Sequence, residues 1–251
     1  MTELSADTFF PEASSFYVPV AGSTMDEART LSTGRPRGLV RAGRQTAGRG
    51  RLPGRVWHGQ SDESLLVTFW LPLDSFGTAP PPLLAGLAVR RACDAWARAA
   101  GAILGHGVEL KWPNDVLCGG RKLAGVLCES GGGTVYIGIG INCSQPGFEG
   151  DFRTEPTSLL VETGKAAEPA DLLKCLTDAM IEVLCLGDTW RSEYEACLAW
   201  RGKPVMFSPG IEEASTRGTL DGIDVTGAVI VSGRPWPSGE LKLVIDEGAW
   251  T

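Results

Sequence analysis

Two stretches of this chain carry residues suited to chemistry. The first is GRQTAGRGRLPGRVW, residues 43–57, where Arg44, Arg49, Arg51 and Arg55 alternate with Gly43, Gly48, Gly50 and Gly54. Glycine exposes backbone N–H groups and permits positive φ, so such a segment can wrap an anion. Arginine adds permanent charge and paired donors that match phosphate or carboxylate. The segment is no P-loop, because GxxxxGK[ST] is absent, and no GxGxxG fingerprint following a strand. Its composition suits a solvated basic loop and a site for a polyanionic small molecule equally well.

The second stretch is residues 107–142, GVELKWPNDVLCGGRKLAGVLCESGGGTVYIGIGIN. Val108, Leu110 and Trp112 alternate with Glu109 and Lys111, a strand pattern that Pro113-Asn114-Asp115 interrupts. Gly119-Gly120 predicts a two-residue hairpin turn, which pairs Leu117 with Lys122 and sets Asp115 diagonal to Lys122. Reading Gly131-Gly132-Gly133 as a three-residue turn pairs Ser130 with Thr134. That register places Asn142 opposite Lys122, Gly140 opposite Ala124 and Gly138 opposite Val126, with Ile137, Ile139 and Ile141 facing the core. One sheet face then gathers Lys122, Asp115 and Asn142 among small residues that let a ligand approach the backbone. A lysine there can stabilise developing negative charge. Asp115 reads as a metal ligand, an orienting group or a turn residue. Trp57 suits core packing or stacking on a base. Ser23 and Thr24 suit helix capping. His58 and His106 have no partner in the sequence and read as surface residues.

These residues need a frame. STMDEARTL, from Ser23, has the signature of a capped helix start. SLLVTFWLPL, residues 64–73, reads as a strand. Ala85, Val89, Ala92, Trp96 and Ala100 recur at helical spacing, as do Leu173, Leu176, Met180 and Val183, with Pro169 in the first turn of the latter helix. DTWRSEYEACLAW reads as a further helix. Beyond Gly202, short strands separated by turn residues suggest a small all-β domain or barrel. Turns rather than helices join the strands of 107–142, so the sheet there should be antiparallel.

Composition limits the function. A chain of 251 residues fits one large domain, or a medium one plus a small one. A net charge of −7 argues against general nucleic-acid binding. Seven cysteines without a CxxC pair, and only two histidines, speak against structural zinc and for a reducing compartment. The N-terminus lacks a signal-peptide pattern and no apolar run is long enough to span a membrane, so the chain reads as soluble and cytoplasmic. Exposed sheet edges admit a homodimer.

GRQTAGRGR, KWPND…RKLAGVL, GIGIN and TSL, in this order, resemble the biotin protein ligases from about Ser23 to Gly164. The resemblance implies an α+β fold of the class II synthetase-like type, a mixed, largely antiparallel sheet with helices packed on one face. The change of texture at Gly202 sets the expected domains at 1–200 and 201–251, and the resemblance implies an SH3-like β-barrel in the second. It implies a ligase that joins biotin to ATP as biotinyl-5′-AMP and then transfers biotin to a lysine of a biotin carboxyl carrier protein, with Mg²⁺ required. By this resemblance Ser23, Thr24, Met25 and Gln45 hold the biotin head, and Arg49, Gly50 and Arg51 close over biotin and phosphates. Lys122 contacts the biotin carboxylate and the α-phosphate, so Lys122, Arg49 and Arg51 are the catalytic set. Arg51, Arg55, Trp57, Lys111, Asn114, Asp115 and Asn142 serve ATP, with Asp115 as the magnesium ligand. The family loop reads GRGR, one residue, then GR, whereas Leu52-Pro53 makes the spacer two here, and HGQSDES replaces the usual Ser-Pro and Gly after Trp57. Some relatives carry an N-terminal DNA-binding domain. Only some twenty residues precede Ser23, so DNA binding is not expected. The alternatives are a lipoate or octanoate ligase or transferase of related fold, and a non-catalytic biotin-binding sensor.

Overall fold

The computed structural model describes residues 2–4, 13–51, 54, 57, 62–210 and 214–244. The first part of the chain builds β1 (Thr2–Leu4), β2 (Ser14–Ala21), α1 (Thr24–Leu31), β3 (Gly38–Gln45) and β4 (Ser64–Pro72). Helix α2 (Pro81–Ala99) follows, then β5 (Val108–Lys111), β6 (Asp115–Cys118), β7 (Arg121–Gly131) and β8 (Thr134–Asn142). These strands form one eight-stranded sheet in the order β1-β2-β3-β4-β8-β7-β6-β5. Every neighbouring pair is antiparallel except β2 and β3, which α1 joins by a crossover. The mixed, largely antiparallel sheet expected from the turns is therefore present.

Burial explains the strand sequences. β4 lies between β3 and β8 and is covered on both faces, which is why it reads as an almost continuous apolar run. Leu65, Val67, Phe69 and Leu71 join Ile137, Ile139 and Ile141 in the main core. Helix α2 and helix α4 (Pro169–Leu184) close that face, α4 through Leu172, Leu176, Met180 and Val183. Helix α1 corrects the expectation that all helices share one face. Its Met25 and Ala28 pack with Phe16, Val40, Trp70 and Tyr136 on the opposite side, where the alternate residues of the same strands point.

The second hairpin also differs from the sequence expectation. Gly131 pairs with Thr134, so the turn is only Gly132-Gly133, both at positive φ (60° and 79°). A two-residue turn of that hand matches the natural strand twist better than a three-residue one. The pairing slips by one, and Gly140 opposes Gly125, Gly138 opposes Leu127 and Ile139 opposes Val126. Asn142 is therefore not opposite Lys122. The first hairpin does pair Leu117 with Lys122, but a bulge then sets Val116 against Ala124 and Asp115 against Gly125. The bulge shifts the alternation of β7, so that Lys122, Gly125 and Asp115 share a face.

After α3 (Leu159–Thr163), α4 and α5 (Trp190–Ala196), the chain forms β9 (Pro204–Ser208), β10 (Thr216–Ile223), β11 (Val229–Val231), β12 (Arg234–Trp236) and β13 (Glu240–Leu243). Their sheet order is β12-β11-β10-β9-β13. Among the described residues it is open: no pairing joins β12 to β13, so the expected barrel closure is absent. Pro235 and Pro237 lack the N–H groups that such a pairing would need. Trp112 ties this sheet to the first, donating from Nε1 to the Gly227 carbonyl at 3.0 Å and packing near Phe207.

Candidate functional site

The face opposite α2 and α4 carries a cavity between α1, the Arg/Gly segment and the strands β4, β8 and β7. Its floor is Gly125, Gly138 and Gly140, where side chains would block approach. A Cβ on Gly140 would stand 2.6 Å from Trp57 Cε2, and one on Gly138 would stand 3.1 Å from Met25 Cε. The glycines are therefore required by the rings and chains laid against the sheet.

One end of the cavity is polar and uncharged. Ser23 caps α1 by accepting from the Met25 N–H at 3.3 Å. Gln45, at the end of β3, accepts from the Thr24 N–H at 2.7 Å and from the Thr24 hydroxyl at 3.0 Å. The Thr68 hydroxyl in turn donates to the Thr24 hydroxyl at 2.9 Å. Ser23, Thr24 and Thr68 are buried. Buried polar atoms carry a desolvation cost that this chain of hydrogen bonds offsets. The result is a fixed set of donors and acceptors for a small ligand head.

The other end is charged. The Lys122 ammonium lies 2.6 Å from Asp115 Oδ1, and Lys111 lies 3.5 Å from Oδ2 and donates to the Thr154 hydroxyl at 3.2 Å. Burial pushes the Asp115 carboxyl up, but Lys122 and Lys111 more than offset it and hold it below the usual carboxylate value. Burial lowers the Lys111 ammonium; Asp115 opposes the shift and Lys122 adds to it. The backbone of Lys122 is pinned by the Glu155 carbonyl at 2.7 Å and the Thr157 N–H at 2.9 Å. Asn142 is buried and donates to the Thr157 carbonyl at 2.9 Å, so it props the segment that pins Lys122 and does not line the cavity. Asn114 lines the cavity and donates to the Val126 carbonyl at 2.9 Å.

Described residues of the Arg/Gly segment border the cavity. The Trp57 N–H donates to the Gly48 carbonyl at 3.1 Å. Arg49, Gly50, Arg51 and Trp57 all line the cavity. Arg49 donates to both oxygens of Asp26, at 3.0 and 2.8 Å. Arg51 instead donates to the Gly239 carbonyl at 2.8 Å and approaches Glu240 at 3.4 Å, and Arg153 holds the second oxygen of Glu240 at 2.6 Å. Arg51 Nε and Trp57 Nε1 are buried with no hydrogen-bond partner among the described residues. The Lys122 ammonium lies 5.8 Å from the Trp57 ring centre. Arg55, like the Leu52-Pro53 spacer, lies outside the described residues.

The sequence model of the Biotin/lipoate A/B protein ligase family matches residues 17–145, which include the polar end, the Arg/Gly segment and Lys122. The chain belongs to this family. Within it, the biotin--[acetyl-CoA-carboxylase] ligase of Paracoccus denitrificans is 36% identical over 137 residues, 49% of this chain and 56% of the relative. The chain thus spans about half the length of that curated relative. The biotin protein ligase from Aquifex aeolicus in complex with biotin and ATP superposes with a TM-score of 0.75 at 26% identity, covering 92% of this chain and 99% of that one. The ligase from Leishmania major in complex with biotinyl-5-AMP gives 0.67 at 25% identity, covering 94% and 100%.

Against the family expectation, Ser23, Thr24, Met25, Gln45, Arg49, Gly50, Arg51, Trp57, Asn114, Asp115 and Lys122 converge on one cavity. Lys111 reaches it through Asp115, and Asn142 stands behind it. The sequence reading passed over Thr68, although a hydroxyl inside the apolar run SLLVTFWLP was a usable signal. It also passed over Asp26, Glu240 and Arg153, for which no local pattern exists.

Proposed function

We propose that this protein is an ATP-dependent ligase that activates biotin and transfers it to a lysine of a biotin carboxyl carrier protein. The observation that carries the proposal is a single glycine-floored cavity with a neutral hydrogen-bonding end at Thr24, Gln45 and Thr68 and a cationic end at Lys122 and Arg51. A ureido head fits the first end. A carboxylate meeting an α-phosphate fits the second.

In the first step a biotin carboxylate oxygen attacks the α-phosphorus of ATP, the bond to the β-phosphate oxygen breaks, and pyrophosphate leaves. Both reactants are anions, so the protein's work is to suppress repulsion and to align them. The Lys122 ammonium, oriented by Asp115, and the Arg51 guanidinium, held by Gly239 and Glu240, supply fixed positive charge without reorganisation. In the second step a lysine amine of the carrier attacks the anhydride carbonyl, the C–O bond to AMP breaks, and the nitrogen loses a proton. Neither step needs a nucleophile from the ligase itself. Cover from Arg49 to Arg51 would slow loss of the anhydride to water.

Magnesium enters this reading with ATP. Asp115 is the one carboxylate among the lining residues, and two ammonium groups already neutralise it. No cluster of three or more His, Cys, Asp or Glu side chains suited to a metal occurs among the described residues. These donors do not fit a protein-built metal centre, and phosphate oxygens and water are the ordinary ligands of such an ion. The seven cysteines are all free thiols, which supports a cytoplasmic assignment. No described helix is long and apolar enough to cross a membrane.

The test is incubation with ATP, Mg²⁺ and either biotin or lipoate, followed by pyrophosphate release and detection of the acyl-adenylate. Adenylate from biotin is expected. Adenylate from lipoate alone would move the assignment to the lipoate branch of the family, and none from either acid would overturn the enzyme reading.

A further inference from the structure

The two arginines of the GRGR stretch are engaged differently. Arg49 directs both terminal nitrogens at one carboxylate, that of Asp26, in a fork-to-fork pair. Arg51 donates to the Gly239 carbonyl and pairs with the Glu240 carboxylate of the C-terminal sheet, while its buried Nε–H has no partner among the described residues. Arg49 is thus tied to α1, whereas Arg51 is tied to the C-terminal sheet.

Asp26 is well placed to be an anchor. Its N–H donates to the Ser23 carbonyl at 3.1 Å, in the first turn of α1. That helix is fixed from below by buried Met25 and Ala28. Thr24, two positions earlier, holds Gln45 at the polar end of the cavity. The nearby Glu129 is itself paired with Arg29 and so leaves Arg49 to Asp26. A single short helix therefore shapes the ligand-head end and grips the segment above it.

We propose that Asp26 is the positioning residue of Gly48–Arg51: through Arg49 it holds this stretch, whose Arg49, Gly50 and Arg51 line the cavity, against α1. The effect is on retention of ligand and not on the bond-making step. The pair is exposed (42% and 58%), so its contribution is small and sensitive to salt. This proposal rests on the ligase reading for its kinetic arm but not for its structural arm.

The structural arm is hydrogen exchange of residues 48–51 in the ligand-free protein. Asp26→Asn should speed exchange about two- to fivefold, the range of an exposed ion pair. Asp26→Glu should keep most of the protection. Salt at about 1 M, where the Debye length is about 3 Å, should speed wild-type exchange similarly and add nothing to Asp26→Asn. Arg49→Gln combined with Asp26→Asn should exchange no faster than either single variant. In turnover, Asp26→Asn should raise the biotin KM severalfold with kcat for adenylate formation within about twofold. Unchanged exchange in Asp26→Asn, additive single variants, or a fall in kcat at constant KM would each overturn the proposal. A wild-type protein that makes no adenylate would overturn the ligase reading instead, and the exchange data would still judge the role of Asp26.

Discussion

The Lys122 ammonium and the Asp115 carboxylate meet at 2.6 Å across the Gly119-Gly120 hairpin, with Lys111 on the other carboxylate oxygen. Two cations share one anion at the edge of a cavity. The local excess of positive charge is what an anionic substrate would complete, and the carboxylate keeps Lys122 aimed while the site is empty.

Removing that ammonium should stop the first reaction without unfolding the chain. For Lys122→Met, adenylate formation from biotin and ATP is expected to fall about two to three orders of magnitude, the usual effect of deleting one oriented charge-stabilising donor. The midpoint of thermal unfolding should change by only a few degrees. Pyrophosphate release at near wild-type rate would refute the role assigned to Lys122.

Asp115→Asn tests the other half of the pair. Leaving two partly buried ammonium groups without a counter-charge should cost about 1–3 kcal/mol of stability near neutral pH. The Asp115 carboxyl is held below its ordinary value of 3.8, so its contribution is present above that value and is lost as pH falls through the depressed folded one. The Tm difference between wild type and variant should be constant from about pH 5 to 7 and shrink only below about pH 4. A difference that instead grew with acidity would contradict this sign.

The glycine floor makes a steric prediction. Gly140→Val would drive a side chain into the space of the Trp57 indole. Biotin binding measured by calorimetry should weaken at least about tenfold, a loss of about 1.4 kcal/mol. Gly131→Ala, where an added Cβ meets nothing within 4 Å, should bind as wild type does.

Thr24→Val keeps the shape of the polar end and breaks its hydrogen bonds. Gln45 loses a donor and the Thr68 hydroxyl loses its acceptor, so stability should fall by about 1–3 kcal/mol. The KM for biotin should rise about tenfold while kcat changes much less, because the cationic end is untouched. An equal fall in kcat would place Thr24 in the chemistry instead.

Much of the site could be read in advance because its signals are local. Gly and Arg alternating in 43–51 suit an anion-binding segment as well as a solvated loop, and Gly119-Gly120 sets Leu117 against Lys122 and brings Asp115 near. The second hairpin shows the limit. Three consecutive glycines permit more than one turn, each with its own register, and only the twist of the assembled sheet selects Gly132-Gly133. The bulge beside Lys122 is likewise silent in the sequence, though it puts Lys122 and Gly125 on one face. Asn142 drew attention as a ligand-side amide, and the fold uses it to hold the Thr157 carbonyl.

Strand alternation, turn glycines and helix caps predicted the antiparallel hairpins and the helix starts, because each depends on near neighbours along the chain, while the resemblance of the ordered motifs implied the fold class and most of the residues that line the cavity. Which groups hold those residues in place was settled only by tertiary structure. Asp26 on Arg49, Glu240 on Arg51 and Thr68 on Thr24 are contacts between elements far apart in sequence. Charge attraction and hydrogen bonding act through space and leave no periodic trace along the chain, so the sheet and α1 had to be assembled before the partners of the two arginines could be told apart.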